Sequence, residues 1–290
     1  MEAADYIRGG LYLLDRGQLP EAVECFDNAL SVEPDNGEAW YHKGWCLARM
    51  PDRQEEALEC FDRSLQADAD HPEVWTAMAA VLRRMDRTDE AADCYREVID
   101  RVPDSPAAWL ALAGCLSEQG RTAEAVECLD RAIEIEPDHA LAHYQRGRVR
   151  LDEGDVESAV ADFDKAVEID PDYGEAHLFR GRGLIALGRC EEALDSAAKV
   201  VADRAMATHG LELRGRARLC LGQYRRAARD FSRVLAGGAD RQLAASAYLG
   251  RAEALAAHGR VRKAMRDVES ARALGVEPSS ELLSRLGSAR

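Results

Sequence analysis

Three arginine pairs, each split by one glycine, recur at a spacing of 34 residues: Arg146-Gly147-Arg148, Arg180-Gly181-Arg182 and Arg214-Gly215-Arg216. Guanidinium groups repeated at fixed spacing suit bidentate pairing with carboxylates, which Lys would achieve less specifically. Nearby Glu175, Glu212 or Asp152 offer the alternative of pairing inside the chain. The eight cysteines include a row of their own, Cys25, Cys60, Cys94 and Cys128. If these sit on equivalent packed helices, they stand at least ~8–10 Å apart, whereas a disulfide needs Cα atoms within ~7 Å. They read as small apolar fillers, and with no CxxC pair anywhere the thiols are expected to stay reduced and metal-free. His139, His143 and His177 form a conceivable metal set, but a turn separates the first two and the last two occupy a slot that elsewhere holds Trp, so no metal is expected. Gly181 to Ala186 matches a dinucleotide fingerprint without the preceding strand that such a loop needs. No Ser/His/Asp order, Walker loop or pair of catalytic carboxylates stands out, so neither catalysis nor a cofactor is expected.

These residues are placed by a strict internal period. The alanines Ala22, Ala57, Ala91, Ala125, Ala159, Ala193, Ala227 and Ala264 are separated by 35, 34, 34, 34, 34, 34 and 37 residues. Twelve positions before most of them stands a small residue (Gly10, Ala79, Ala113, Gly147, Gly181, Gly215, Ala252), with Gly44 displaced by an insertion at Met50-Pro51-Asp52. Four positions after them come Phe26, Phe61, Tyr95, Leu129, Phe163, Ala197, Phe231 and Val268. A planar or apolar residue opens each copy, as Trp40, Trp75 and Trp109 do. Glycine turns at Gly17, Gly120, Gly154, Gly188, Gly222 and Gly259 end one helix, because Gly accepts the left-handed cap conformation. Closing prolines such as Pro34, Pro103, Pro137 and Pro171 stop the next. Each copy is therefore a helix pair whose small residues let the backbones approach, with Phe or Tyr filling the space left. Stacked neighbours complete a core that one pair cannot bury alone.

An aromatic opener, small centre, Gly turn, Ala, Phe or Tyr, Ala and Pro at this period resembles the tetratricopeptide repeat. The resemblance covers about nine-tenths of the chain and implies an all-α fold, a right-handed superhelical solenoid of antiparallel helix pairs. Eight pairs are expected over 1–278, starting near 3, 37, 72, 106, 140, 174, 208 and 245, and 279–290 reads as a capping helix with Leu282, Leu283 and Leu286 at near-helical spacing. The family implies a protein-interaction scaffold whose first helices line a groove for a peptide or partner helix. Its geometry directs Tyr41, Trp45, Tyr144 and Phe179 toward that groove as anchors, with the competing expectation that they pack on neighbouring helices. The same geometry turns Arg148, Arg182 and Arg216 inward as a ladder for an acidic segment, while Arg146, Arg180 and Arg214 lay their stems over apolar seams. Only two Asn are present, Asn28 and Asn36, so the Lys/Asn carboxylate clamp of chaperone-binding relatives is absent. Ile7, Leu11 and Leu14 form an apolar stripe in the first copy, either an association site or a face packed beneath the second copy.

The chain of 290 residues carries a formal charge of −15, 31% charged and 6% aromatic residues. To Ala207 it holds 22 basic and 45 acidic residues, and beyond it 16 and eight, a change from −23 to +8. Such polarity suits orientation of a partner or self-association through the terminal copies. Without an apolar run of ~20 residues or a basic, apolar leader, the chain reads as soluble and cytoplasmic, away from membranes. The resulting expectation is a non-enzymatic adaptor binding a protein or peptide. A regulatory or targeting subunit of an enzyme complex is the alternative, and nucleic-acid binding through the basic end is a third.

Overall fold

A computed structural model describes residues 2–287, and these form 17 helices with no strand. The chain is an all-α repeat array, resolved into two compact units, 1–137 and 138–290. The first unit holds α1 (Ala3–Asp15), α2 (Leu19–Val32), α3 (Gly37–Ala48), α4 (Gln54–Ala67), α5 (Pro72–Arg84), α6 (Thr88–Arg101), α7 (Pro106–Glu118) and α8 (Thr122–Ile135). The second holds α9 (Ala140–Asp152), α10 (Val156–Ile169), α11 (Gly174–Ala186), α12 (Cys190–Ala202), α13 (Ala207–Cys220), α14 (Tyr224–Ala236), α15 (Arg241–Ala257), α16 (Val261–Ala273) and α17 (Ser280–Gly287). Within each unit, every odd-numbered helix through α15 packs on the even-numbered helix that follows it.

The turn between paired helices needs a left-handed residue. Six copies use the predicted glycines, with φ between 69° and 86°, and two place Asp52 (φ 57°) and Asp86 (φ 58°) in the same slot. The small centre is enforced by an aromatic ring: a Cβ added to Gly10, Gly44, Gly147 or Gly215 would fall within 2.7–2.8 Å of Phe26, Phe61, Phe163 or Phe231. Copy six has Ala197 instead of an aromatic, and Leu213 from α13 moves into the gap, 2.5 Å from a Cβ at Gly181. The opener is held by its ring nitrogen, which explains Trp and His in one column. Trp40, Trp109 and Trp75 donate from Nε1 to the carbonyls of Pro34 (2.7 Å), Pro103 (2.8 Å) and Ala69 (3.5 Å), and His177 Nε2 lies 3.0 Å from the Pro171 carbonyl.

Ile7, Leu11 and Leu14 belong to a core cluster with Ala39, Trp40 and Cys46, so the first copy's apolar stripe packs beneath the second. In α17, Leu282 and Leu286 are buried among Ala252, Ala264 and Val268, while Leu283 stays exposed. The last three residues expected in the capping segment lie outside the described residues.

The thiols require a correction. Cys25, Cys60, Cys94 and Cys128 are unpaired as their spacing implies, but Cys190 and Cys220 form a disulfide with Cα atoms 6.1 Å apart. Cys190 opens α12 and Cys220 closes α13, and these two helices pack on one another. The pair falls in no column of the repeat, so a reading built on the periodic thiols passed over it.

Candidate partner-binding site

The two arginines of each RGR triplet behave differently. Arg146, Arg180 and Arg214 are largely buried along their length, and their guanidiniums are anchored by polar groups on the second helices. Arg146 forks onto Asp162 (Nη2–Oδ1 2.6 Å) and Arg214 onto Asp230 (Nη2–Oδ1 2.9 Å), each sixteen residues on. Arg251 repeats the geometry on Asp267 at 2.7 Å. In copy six the slot holds Ser196, which accepts from Arg180 at 2.7 Å, and Asp164 supplies the charge at 2.5 Å. Asp162 and Asp230 are each met by a further guanidinium, Arg150 at 2.8 Å and Arg218 respectively. These carboxylates are almost wholly buried, so every lone pair needs a donor and the pairs act as parts of the core. The carboxylate partners were not foreseen from sequence because each lies sixteen residues away on another helix, beyond any pattern along one helix face.

The same register position in copies one to four is the thiol row, Cys25, Cys60, Cys94 and Cys128. Opposite it stand Gly9, Lys43, Met78 and Leu112 where the later copies have Arg, and a Cβ at Gly9 would sit 3.8 Å from the Cys25 sulfur. One slot is thus filled by soft apolar packing in the first unit and by ion pairs in most of the second.

The second arginines face outward. Arg148 and Arg182 are exposed, and both lie over the Phe179 ring, 5.2 and 5.4 Å from its centroid. Phe179 packs edge-on against Tyr144 (5.8 Å), which meets Tyr173 at 5.0 Å and the buried Phe163 at 6.1 Å. Four of the predicted residues, Tyr144, Arg148, Phe179 and Arg182, therefore come together on α9 and α11 as guanidiniums over an aromatic floor. Burial raises the Tyr144 hydroxyl's pKa and takes that of Tyr173 to about 12, so both rings stay neutral donors at physiological pH. No carboxylate among the described residues lies within ion-pair reach of Arg148 or Arg182. Their charge is held over rings, where a cation is attracted without being neutralised.

Arg216 departs from the ladder. It pairs with the buried Glu212 on its own helix and donates to Ser246 at 2.8 Å. The next position in its column is Glu253, whose carboxyl is raised by burial and drawn back down by Arg216 and Arg285. Of the three ladder arginines, Arg148 and Arg182 are thus exposed and without an ion-pair partner among the described residues, and the third rung is neutralised. Tyr41 and Trp45 lie in the first unit. Tyr41 is half-buried against His71 (5.8 Å) and Phe61 (6.2 Å), and Trp45 carries Arg49 over its ring at 4.5 Å. Tyr173 was missed from sequence. It occupies a helix-start slot where Asn36, Ser105 and His139 cap the next helix through their side chains, while Tyr173 makes no such cap. A bulky ring among capping residues was the available signal.

Repeated helix pairs with a small-residue seam, an aromatic filler and an outward polar face define a helical repeat scaffold. The chain belongs to the tetratricopeptide repeat family: its family models match residues 7–72, 82–148, 144–207 and 212–275. Among solved structures, YrrB, a tetratricopeptide repeat protein with an unusual peptide-binding site, is 24% identical over 60% of this chain and 90% of its own, with a TM-score of 0.54. MamA of Desulfovibrio magneticus RS-1 is 22% identical over 59% and 96% (0.55), and pilF of Pseudomonas aeruginosa 16% identical over 69% and 90% (0.57). At these identities the likeness is one of fold. No curated protein matches the chain. The fold supports a role as a protein-interaction scaffold, in a family whose members are generally non-enzymatic. No helix among the described residues is long and apolar enough to cross a membrane.

Proposed function

We propose that the chain is an adaptor that captures an acidic peptide segment on the α9–α11 face, with Arg148 and Arg182 pairing its carboxylates and Phe179, Tyr144 and Tyr173 taking its apolar groups. The observation that carries this reading is the pair of exposed guanidiniums over one aromatic ring with no carboxylate of their own. Elsewhere several arginines are paired at once, as Arg53, Arg87, Arg121 and Arg189 are with the Glu three residues on. An aromatic floor with arginine rims is the composition of binding hot spots. YrrB's peptide-binding site makes a peptide ligand the natural class in this fold. Arg216 contributes little in this reading, since Glu212 already holds it.

The test is titration of a fluorescent Asp/Glu-rich dodecapeptide. Arg148→Glu/Arg182→Glu should weaken binding by at least about tenfold, while Arg216→Gln leaves it within about twofold. Unchanged affinity in the double variant would falsify the assignment.

A further inference from the structure

A separate feature lies on the second helices of the last two copies. A cleft of about 660 Å³ opens between α14, α15 and α16, floored by Ala228, Ala254 and Leu255 and rimmed by cations. Arg251 is consumed by Asp267, the only carboxylate among the described residues that line the cleft, and Arg225 Nε donates to His258 Nε2 at 2.9 Å. Arg229, Arg233, Arg260, Lys263 and Arg266 also line it, and none has an ion-pair partner among the described residues.

The repeat shows that this charge is concentrated by position. One residue before the ruler alanine, copies one to four and six carry Glu21, Glu56, Glu90, Glu124 and Glu192, whereas copies seven and eight carry Arg226 and Lys263. Two residues after it, Glu24, Glu59, Asp93, Glu127 and Asp195 give way to Arg229 and Arg266. The Arg–Glu pair that closes the turn in four earlier copies becomes Arg260 beside Lys263. Five residues after the alanine, Asp27 and Asp164 hold a cation of the next copy, but the cleft has Ser232, which accepts from Arg251 at 3.1 Å. Three register positions have thus lost their acids around one concavity. Like charges crowded in this way repel and are tolerated best when an anion sits among them.

We infer that this cleft binds a compact ligand carrying several phosphoryl groups. Its volume falls in the range of small-ligand sites, ~300–1,000 Å³. Five unpaired cations in that space call for high negative charge density. A phosphoryl group brings about −1.5 to −2 with three acceptor oxygens, and guanidinium forks match it bidentately. A peptide filling the same space would need a carboxylate at nearly every residue. The site is distinct from the α9–α11 face and uses none of its residues.

Calorimetric titration of the full chain with sodium tripolyphosphate at about 50 mM salt, without divalent cations, should give one-to-one binding that weakens as salt rises. Arg229→Glu/Arg266→Glu should reduce affinity at least about tenfold, and the milder Arg229→Gln/Arg266→Gln should reduce it less, with circular dichroism unchanged because all four substitutions are at exposed positions. Arg148→Glu/Arg182→Glu should leave tripolyphosphate binding intact, which keeps this inference separable from the peptide site. ATP carries the same phosphoryl chain: tighter binding than tripolyphosphate, lost in Tyr224→Ala, identifies a nucleotide, and equal binding identifies the inorganic chain. Absence of tripolyphosphate binding overturns the inference. So does equal binding by both double variants. Displacement by poly-glutamate at equal charge would assign the cleft to an acidic protein, and binding of a 20-nucleotide RNA that tripolyphosphate cannot displace would assign it to nucleic acid; either result rejects the compact ligand.

Discussion

At the scale of single residues, one slot of the repeat separates two kinds of chemistry. In copies five, seven and eight it holds Asp162, Asp230 and Asp267, each locked to an arginine sixteen residues earlier. In copies one to four it holds a thiol. Removing a buried carboxylate takes a counter-charge away from its arginines, whereas trimming a thiol removes only packing. Asp162→Ala should cost about 2–3 kcal/mol, less than a fully buried pair because Arg146 and Arg150 keep some contact with water. Cys94→Ala should cost about 1 kcal/mol. Urea denaturation of the two variants checks the contrast, and equal losses would refute it. The Phe163–Gly147 contact was legible in the sequence because both columns repeat at the same period. The Arg146–Asp162 pair was not, because the partner of the guanidinium is set by the position of α10 against α9.

For the helix pair, the turn is the informative element. Six copies answer the left-handed position with Gly, which adopts it freely, and copies two and three answer with Asp52 and Asp86, which do so at a cost. Asp86→Gly should therefore raise the melting temperature, with a gain of roughly 0.5–1 kcal/mol. Gly120→Ala, at φ 74° with open space around it, should lose about 1 kcal/mol. Opposite signs are the expected calorimetric result, and a loss in Asp86→Gly would show that the Asp side chain contributes more than its backbone costs. Element boundaries were readable because a turn Gly or a closing Pro marks them in most copies. The disulfide between α12 and α13 was not, since Cys190 and Cys220 each occur once and their approach depends on how two helices lie across a copy boundary.

Across the whole chain, the unpaired thiols lie in one unit. Burial raises Cys46, Cys60 and Cys128 to about 11 and Cys94 to about 12, and all belong to residues 1–137. The folded unit holds these protons more tightly than the unfolded chain, whose thiols release them near pH 8.5–9. Their stabilising contribution is therefore complete below about pH 8.5, declines as pH rises, and is lost as pH passes the folded values. Between about pH 9 and 10, below the range of the raised tyrosines, hydrogen exchange should accelerate in the first unit before the second, and Cys60→Ala/Cys94→Ala/Cys128→Ala should reduce that difference, with Cys46 supplying part of what remains. Simultaneous loss in both units would contradict it. The charge polarity was visible as counts alone. Its meaning emerged only in register, where acids on the second helices of early copies become the arginines and lysine around the cleft.

The sixteen-residue Arg–Asp pairs have a further consequence for how such a chain can change. Both members lie inside one copy, so a recombination event that duplicates, deletes or transplants a copy carries the charge and its counter-charge together. Asp27–Lys43, Asp164–Arg180 and Ser232–Arg251 instead span the joint between neighbours. Copies are therefore exchangeable as self-contained cassettes in their interiors, while their order is written at the seams.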